Sequence, residues 1–194
     1  MNIYAFRIRT AKSRYILRRS CRSVSTAEKL PCADFLLSRR SVRKFSDEPV
    51  PDELIYRAID IARFAPSAHN AQPWSFLVVK DREKLEKLAK IHRWSKPIAN
   101  SKVAIIVFSD EKVSPKSHLV DGAIVATYLW LALHCLGLST VWIYTLEQAE
   151  EIRRIVNAPP HLFPVAIFPV GFPAESPPPR PRRSLEELVH VDSY

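Results

Sequence analysis

The sequence predicts a mixed fold, an α/β or α+β sandwich in which helices cover a sheet. Segments with apolar residues at helical spacing alternate along the chain with short Val- and Ile-rich runs of strand length. The longest apolar stretch, Leu119 to Leu138, follows one strand-like run and precedes another, as expected of a helix buried centrally or across a subunit contact. With 47% hydrophobic content, 194 residues suffice for one domain with a substantial core.

The chain divides at about residue 30 by charge. Its net charge is +9, but residues 1–30 hold eight Lys/Arg and one acid, leaving a nearly balanced +2 for the rest. The basic character belongs to this leader, so the expected domain, residues 31–194, lacks the charge excess of a nucleic-acid-binding module. The leader is rich in Arg and Ser without a clean helical stripe. It reads as an unstructured or non-native segment, with a transit peptide as the alternative. It has no apolar stretch followed by a small-residue cleavage site, so secretion is not expected.

Within the domain, Ala33 to Arg40 reads as a short helix leading into a basic stretch. Pro49-Val50-Pro51 is a break, after which Asp52 and Glu53 place acids at a helix N-terminus. Leu54, Ile55, Ala58, Ile59 and Ala62 continue that helix at helical spacing. The loop Pro66 to Pro73 leads to a strand from Trp74 to Val79. Arg82 to Ile91 is a charged amphipathic helix with Leu85 and Leu88 inward, and Lys102 to Phe108 is a buried strand. Asp121, His134 and short flanks argue against a membrane span for Leu119 to Leu138. A short strand at Thr140 to Tyr144, a helix at Leu146 to Val156 and a strand at Phe163 to Gly171 follow. Pro173 to Pro181 is then an extended surface segment, ending in a helical turn at Leu185 to Val189.

Three glycines, Gly122, Gly137 and Gly171, exclude the glycine-rich dinucleotide loop, the P-loop and the Gly-x-Ser-x-Gly nucleophile elbow. Any phosphate must be held by side chains. Cys21, Cys32 and Cys135 are too few and scattered for a disulfide framework, which favours a cytoplasmic setting, and Cys135 reads as a small buried hydrophobe. The six histidines show no metal-ligand spacing, and no nucleophile–base pair stands out, so no catalytic or metal residue is assigned.

Two stretches carry chemistry. Arg39-Arg40-Ser41-Val42-Arg43-Lys44-Phe45 presents guanidinium forks and a hydroxyl suited to a phosphate, or else a solvated basic turn. Pro66-Ser67-Ala68-His69-Asn70-Ala71-Gln72-Pro73 sets a hydroxyl and two amides between stiff prolines, or else is a polar turn before a strand. A further basic cluster is Arg180-Pro181-Arg182-Arg183.

Taken in order, these pieces resemble the nitroreductase family of FMN flavoproteins. The basic stretch comes first, then Ala65-Pro66-Ser67-Ala68-His69-Asn70-Ala71-Gln72-Pro73-Trp74-Ser75-Phe76. The apolar helix from Asp121 ends in His134-Cys135-Leu136-Gly137-Leu138 and is followed by Val141-Trp142-Ile143. Phe168-Pro169-Val170-Gly171-Phe172-Pro173 and the segment Pro181 to Val189 resemble the C-terminal signature. The resemblance spans residues 33–192 and implies an α+β three-layer sandwich, with a mostly antiparallel central sheet flanked by helices, in an obligate homodimer whose two FMN sites lie at the interface.

Carried over by residue, it puts Arg39, Arg40 and Ser41 at the FMN phosphate and ribityl chain, with Arg43 nearer the pyrimidine edge. Pro66, Ser67, Ala68, Asn70 and Gln72 would come from the second subunit. Trp142, Ile143, Tyr144 and Thr145 match the segment beside the flavin ring, where a backbone N–H meets N5. Arg180 and Arg182 complete the phosphate site, and Lys96 is a looser match by the pyrimidine. The implied activity passes hydride from NAD(P)H through the flavin to a small electron-poor acceptor of nitroaromatic or quinone type. Dehalogenation or flavin breakdown is the alternative within the family, and a basic nucleic-acid-binding module resting mainly on residues 1–30 is the alternative outside it; with the flavin reading, neither nucleic acid nor membrane is an expected partner. The chain departs from many larger members at Tyr144-Thr145, where they have Glu-Gly, and it is short around residues 92–118, where other members insert helices that shape the substrate pocket, so the substrate does not carry over.

Overall fold

The computed structural model describes residues 31–194; the leader, with Cys21, lies outside the described residues. The order is α1 (Pro31–Ser38), α2 (Asp52–Ala62), β1 (Trp74–Val79), α3 (Arg82–Leu88), β2 (Val103–Asp110), α4 (His118–Cys135), β3 (Ile143–Tyr144), α5 (Ala149–Val156) and β4 (Leu162–Val170). The four strands form one sheet in the order β1-β2-β4-β3, and every pairing is antiparallel.

Strand β2 explains why its sequence is apolar without alternation. Val103, Ile105 and Val107 join a core shared with α2 and α4, while Ala104, Ile106 and Phe108 join a second core with α3 and α5. A strand covered on both faces has no polar side to show. The two cores make the fold an α+β sandwich of three layers, as the sequence predicts. A bulge between Val107 and Phe108 shifts the β2–β4 register, and Pro164, which has no N–H for a ladder, sits at that shift.

Helix α4 lies on the sheet with Val125, Ala126, Leu129 and Leu133 fully buried. It is long and apolar enough to span a membrane by length and composition, yet this face packs inside the chain. Gly122 permits the close approach, since a Cβ there would stand 2.7 Å from Val165 Cγ2 and 3.0 Å from Ser109 Cβ. At the other end Gly137, at φ +77°, closes the helix: its N–H donates to His134 O (3.1 Å), and Leu138 N–H to Leu133 O (2.9 Å). This paired 5→2 and 6→1 closure requires a left-handed residue, which glycine supplies without strain.

Several boundaries differ from the sequence-based expectation. Helix α3 stops at Leu88 because its last turn tightens to i→i+3 bonds, Lys90 N–H to Lys87 O and Ile91 N–H to Leu88 O. Strand β3 is only Ile143–Tyr144, although Ser139 already bridges to Gly171 in the same register. Between them Val141 stands opposite Pro169, which has no N–H to give, so the ladder breaks. The expected helix from Leu146 begins as a 3-10 turn, Leu146–Gln148, before α5. Residues 173–184 carry no regular structure, as their prolines predict, and one turn, with Val189 N–H on Leu185 O at 2.8 Å, follows. Cys135 is exposed rather than buried, because it lies on the face of α4 turned away from the sheet. That face also exposes Val120 and Tyr128.

Candidate functional site

The basic stretch leaves α1 and is held in place by its backbone. Val42 N–H donates to Thr140 O (3.1 Å), Ser46 N–H to Phe172 O (2.9 Å) and Ala174 N–H to Lys44 O (2.9 Å). Glu175 Oε1 accepts from the backbone N–H of Arg43 (2.7 Å) and of Lys44 (3.3 Å). Phe45 seats against Gly171, where any Cβ would come within 2.8 Å of the Phe45 Cβ. The stretch from Arg39 to Phe45 is therefore a fixed rim, and the extended Pro173–Pro181 segment runs beside it.

Between the two lies a groove of about 430 Å³ lined by Arg39, Arg40, Ser41, Arg43, Arg180 and Arg182, with Leu36, Leu37 and Pro177 to Pro179 as its apolar part. The five residues expected at the phosphate and ribityl end, Arg39, Arg40, Ser41, Arg180 and Arg182, meet here together with Arg43. No carboxylate forms an ion pair with any of these five arginines among the described residues. Arg40 and Arg43 turn guanidinium N–H groups onto nearby backbone carbonyls, as does Arg182. Arg39 Nη1 is buried with no hydrogen-bond partner. Burial, then repulsion from Arg182 and Arg40, holds the Arg39 guanidinium below its ordinary pKa. A buried donor without an acceptor, inside a cluster of like charges, is a site shaped for an anion.

The C-terminal part of α4 backs this cluster. The Arg39 guanidinium lies 4.2 Å above the centroid of the Trp130 ring. His134 Nε2 hydrogen-bonds Ser38 Oγ (2.8 Å), and its ring stacks on Phe35 at 5.0 Å. Burial and the charge of Arg39 hold the His134 imidazole below its ordinary pKa. Trp130 also meets Trp142 (6.3 Å between centroids) and Phe168 (6.0 Å), and Trp142 meets Phe168 edge-on at 5.4 Å.

The Trp142–Thr145 segment is anchored on both sides. Ile143 is buried, and Thr145 is fully buried with its hydroxyl donating to Pro164 O (2.7 Å). Tyr144 keeps its side chain exposed, while its carbonyl meets His92 Nε2 at 2.8 Å. His92 Nδ1 accepts the Trp94 N–H (3.1 Å), which leaves Nε2 as the donor to Tyr144 O. Lys96, exposed, starts the short 3-10 turn that follows in the same chain reversal.

The Pro66–Gln72 loop sits elsewhere. His69, Asn70 and Gln72 all have positive φ (54°, 54° and 49°). Three such residues in four cost backbone energy that surrounding bonds must offset. Gln72 N–H donates to Ser67 Oγ (3.0 Å), and Ala68 N–H to the buried carboxylate of Asp121 (3.1 Å). Ser117 Oγ donates to the other Asp121 oxygen (2.7 Å). Asp121 stands at the N-terminal end of α4 and His134 near its C-terminal end. At a rise of about 1.5 Å per residue, the loop and the arginine groove are about 20 Å apart on one chain.

Comparison with known proteins fits this geometry. A model of the Nitroreductase family matches residues 36–100 and 92–172. The chain belongs to the nitroreductase family. A relative from Methanothermobacter thermautotrophicus, named as an NADH dehydrogenase/NAD(P)H nitroreductase, is 40% identical over 77% of this chain and 81% of its own. An iodotyrosine deiodinase of Thermotoga neapolitana is 32% identical over 83% and 97% of the two chains. A solved nitroreductase from Desulfovibrio desulfuricans, in complex with FMN, superposes with a TM-score of 0.79 at 28% identity, over 86% of this chain and 99% of that one.

In this member of the family, Trp130, His134, His92 and Asp121 are the contacts that sequence reasoning missed. All four depend on residues distant in the chain. The spacing of Trp130 and His134, four apart on one helix, was the available signal, but nothing in it named Arg39 or Ser38 as partners. Among the described residues no group of three or more His, Cys, Asp or Glu is gathered for a metal.

Proposed function

We propose that this nitroreductase-family protein is an FMN-dependent oxidoreductase that takes hydride from NAD(P)H and reduces a small electron-poor acceptor of nitroaromatic or quinone type. The observation that carries this reading is the arginine groove, whose lining holds no acid, with the buried, unpartnered Nη1 of Arg39. Arg39, Arg40, Ser41, Arg180 and Arg182 would hold the phosphate and ribityl chain, with Arg43 nearer the pyrimidine. Bound there, FMN supplies the redox chemistry itself. The chain's own part is to fix the phosphate, to keep Trp142 to Thr145 rigid beside the ring through Thr145 and His92, and to offer Lys96 as a cation toward the pyrimidine.

The working unit in this reading is a homodimer in the cytoplasm with two sites at the interface. Pro66, Ser67, Ala68, Asn70 and Gln72 lie too far along α4 from their own arginines, so a second copy would contribute them. The outward face of α4, with Val120 and Tyr128 exposed, is apolar enough to be covered by that copy. The free, exposed Cys32 and Cys135 fit a reducing compartment.

The purified protein is expected to be yellow, to release FMN on heating, and to oxidise NADH or NADPH when a quinone or nitroaromatic is present. A colourless protein that gains no flavin absorbance when given FMN would sink the reading. The deiodinase relative supports one alternative, reductive dehalogenation, for which halide release from an iodinated phenol without quinone reduction is the distinguishing result. Consumption of FMN under oxygen would instead indicate flavin breakdown.

A further inference from the structure

We propose that Trp130 is a positioning residue of the phosphate subsite: its indole face holds the Arg39 guanidinium aimed into the arginine groove. The inference rests on the flavin reading and adds a residue to it.

An arginine surrounded by like charges swings away from them unless something holds it. Arg39 has Arg40 and Arg182 as repelling neighbours, and no acid pairs with it among the described residues. Its Nη1 has no hydrogen-bond acceptor, so hydrogen bonding does not fix that end of the fork. What does meet it is the Trp130 face at 4.2 Å, inside the range in which an aromatic quadrupole attracts a cation. Tryptophan is the strongest of the three rings in this role, and partial burial increases the effect.

Trp130 cannot turn to follow Arg39, because its other neighbours fix it. Its ring packs against Trp142 and Phe168, and Phe168 is fully buried in the core. One turn on, His134 bonds Ser38 and stacks on Phe35, which fixes the chain entering Arg39. The guanidinium is thus clamped between a rigid ring and a rigid backbone, with its free donors left for an anion. Preorganised donors of this kind add affinity because little ordering remains to be done on binding.

The test compares FMN with riboflavin, which differ by the phosphate, as ligands of the flavin-stripped protein. The wild type should prefer FMN strongly. Trp130→Leu should shrink that preference about five- to tenfold, the scale of a partly desolvated cation–π contact, and Trp130→Phe should fall between. Riboflavin affinity should change less than about twofold in both, because the phosphate term alone is altered. In the Arg39→Ala background, Trp130→Phe should have no further effect on the preference. Should Trp130→Leu fail to fold, the Phe variant still decides the matter by its preference and by this non-additivity. An unchanged FMN-to-riboflavin ratio in a folded Trp130 variant overturns the inference while leaving the flavin reading intact. Absence of binding to either flavin by the wild type overturns the flavin reading itself.

Discussion

The two ends of α4 solve opposite problems. At the N-terminal end every polar contact closes on the chain itself: both Asp121 oxygens are taken, by Ala68 N–H and Ser117 Oγ, and Ser109 Oγ meets His118 Nδ1 at 2.9 Å. At the C-terminal end five arginines converge on a groove without an acid, and Arg39 keeps a buried donor unused. The buried carboxylate at the first end is satisfied within one chain. In the proposed flavin reading, the second is completed by the phosphate. A protein holds like charges together at a cost to folding, which is the physical reason for proposing a ligand as the missing partner there.

This contrast can be broken from either side. The largest effect is expected for Arg39→Ala, which removes a charged hydrogen-bonding group worth about 1.5–3 kcal/mol and should weaken FMN retention roughly 10- to 100-fold, measured by flavin-to-protein ratio after dialysis. Arg7→Ala, in the leader, should leave that ratio unchanged. Equal loss in both variants would reduce the groove to general basicity.

At the opposite end, Asp121→Ala should lower folding stability by about 1–3 kcal/mol by stranding the Ala68 N–H and the Ser117 hydroxyl, as read from urea unfolding. Because the Pro66–Gln72 loop is strained and leans on that carboxylate, the variant should also make the loop a preferred site of proteolysis. Gly122→Ala is expected to cost about 1–3 kcal/mol by overpacking against Val165 and Ser109, with FMN affinity per folded protein nearly unaffected.

The smallest effect is a pH dependence at the arginine end. His134 is held below its ordinary value near 6.5 by burial and by Arg39. The unfolded chain therefore takes up a proton that the folded one resists. Stability is full above about pH 6.5 and falls as the pH drops through the lower, folded value. A phosphate on Arg39 would offset the repulsion, so FMN should lessen this acid loss, and His134→Gln should abolish it. Thermal unfolding across pH 5 to 7.5 is the measurement.

How much of this was legible in sequence follows the same division between local and distant contacts. Strands β1 and β2 were readable because each is one apolar run. The arginines and the Pro66–Gln72 loop were readable as chemistry because their residue types are crowded into a few positions. The shortness of β3 was not, since it depends on Pro169 standing opposite Val141, a pairing between segments 28 residues apart. Cys135 was misread as buried because periodicity shows that α4 is apolar but not which apolar face its own chain covers. Trp130 lies inside the apolar run of α4, and nothing in that run signals that Arg39 stands above its ring.

The interrupted ladder at Pro169 has a consequence for how these molecules meet one another. An unpaired strand edge is a template on which a foreign chain can add. Here β3, one of the two edges, offers only two paired residues before the break. The other edge, β1, is preceded by Pro73 and followed by Lys80, a stiff residue without a donor and a charge. Both margins of the sheet are poor starting points for intermolecular strand addition. The same proline that shortens a strand beside the proposed cofactor site also helps keep concentrated protein from joining edge to edge.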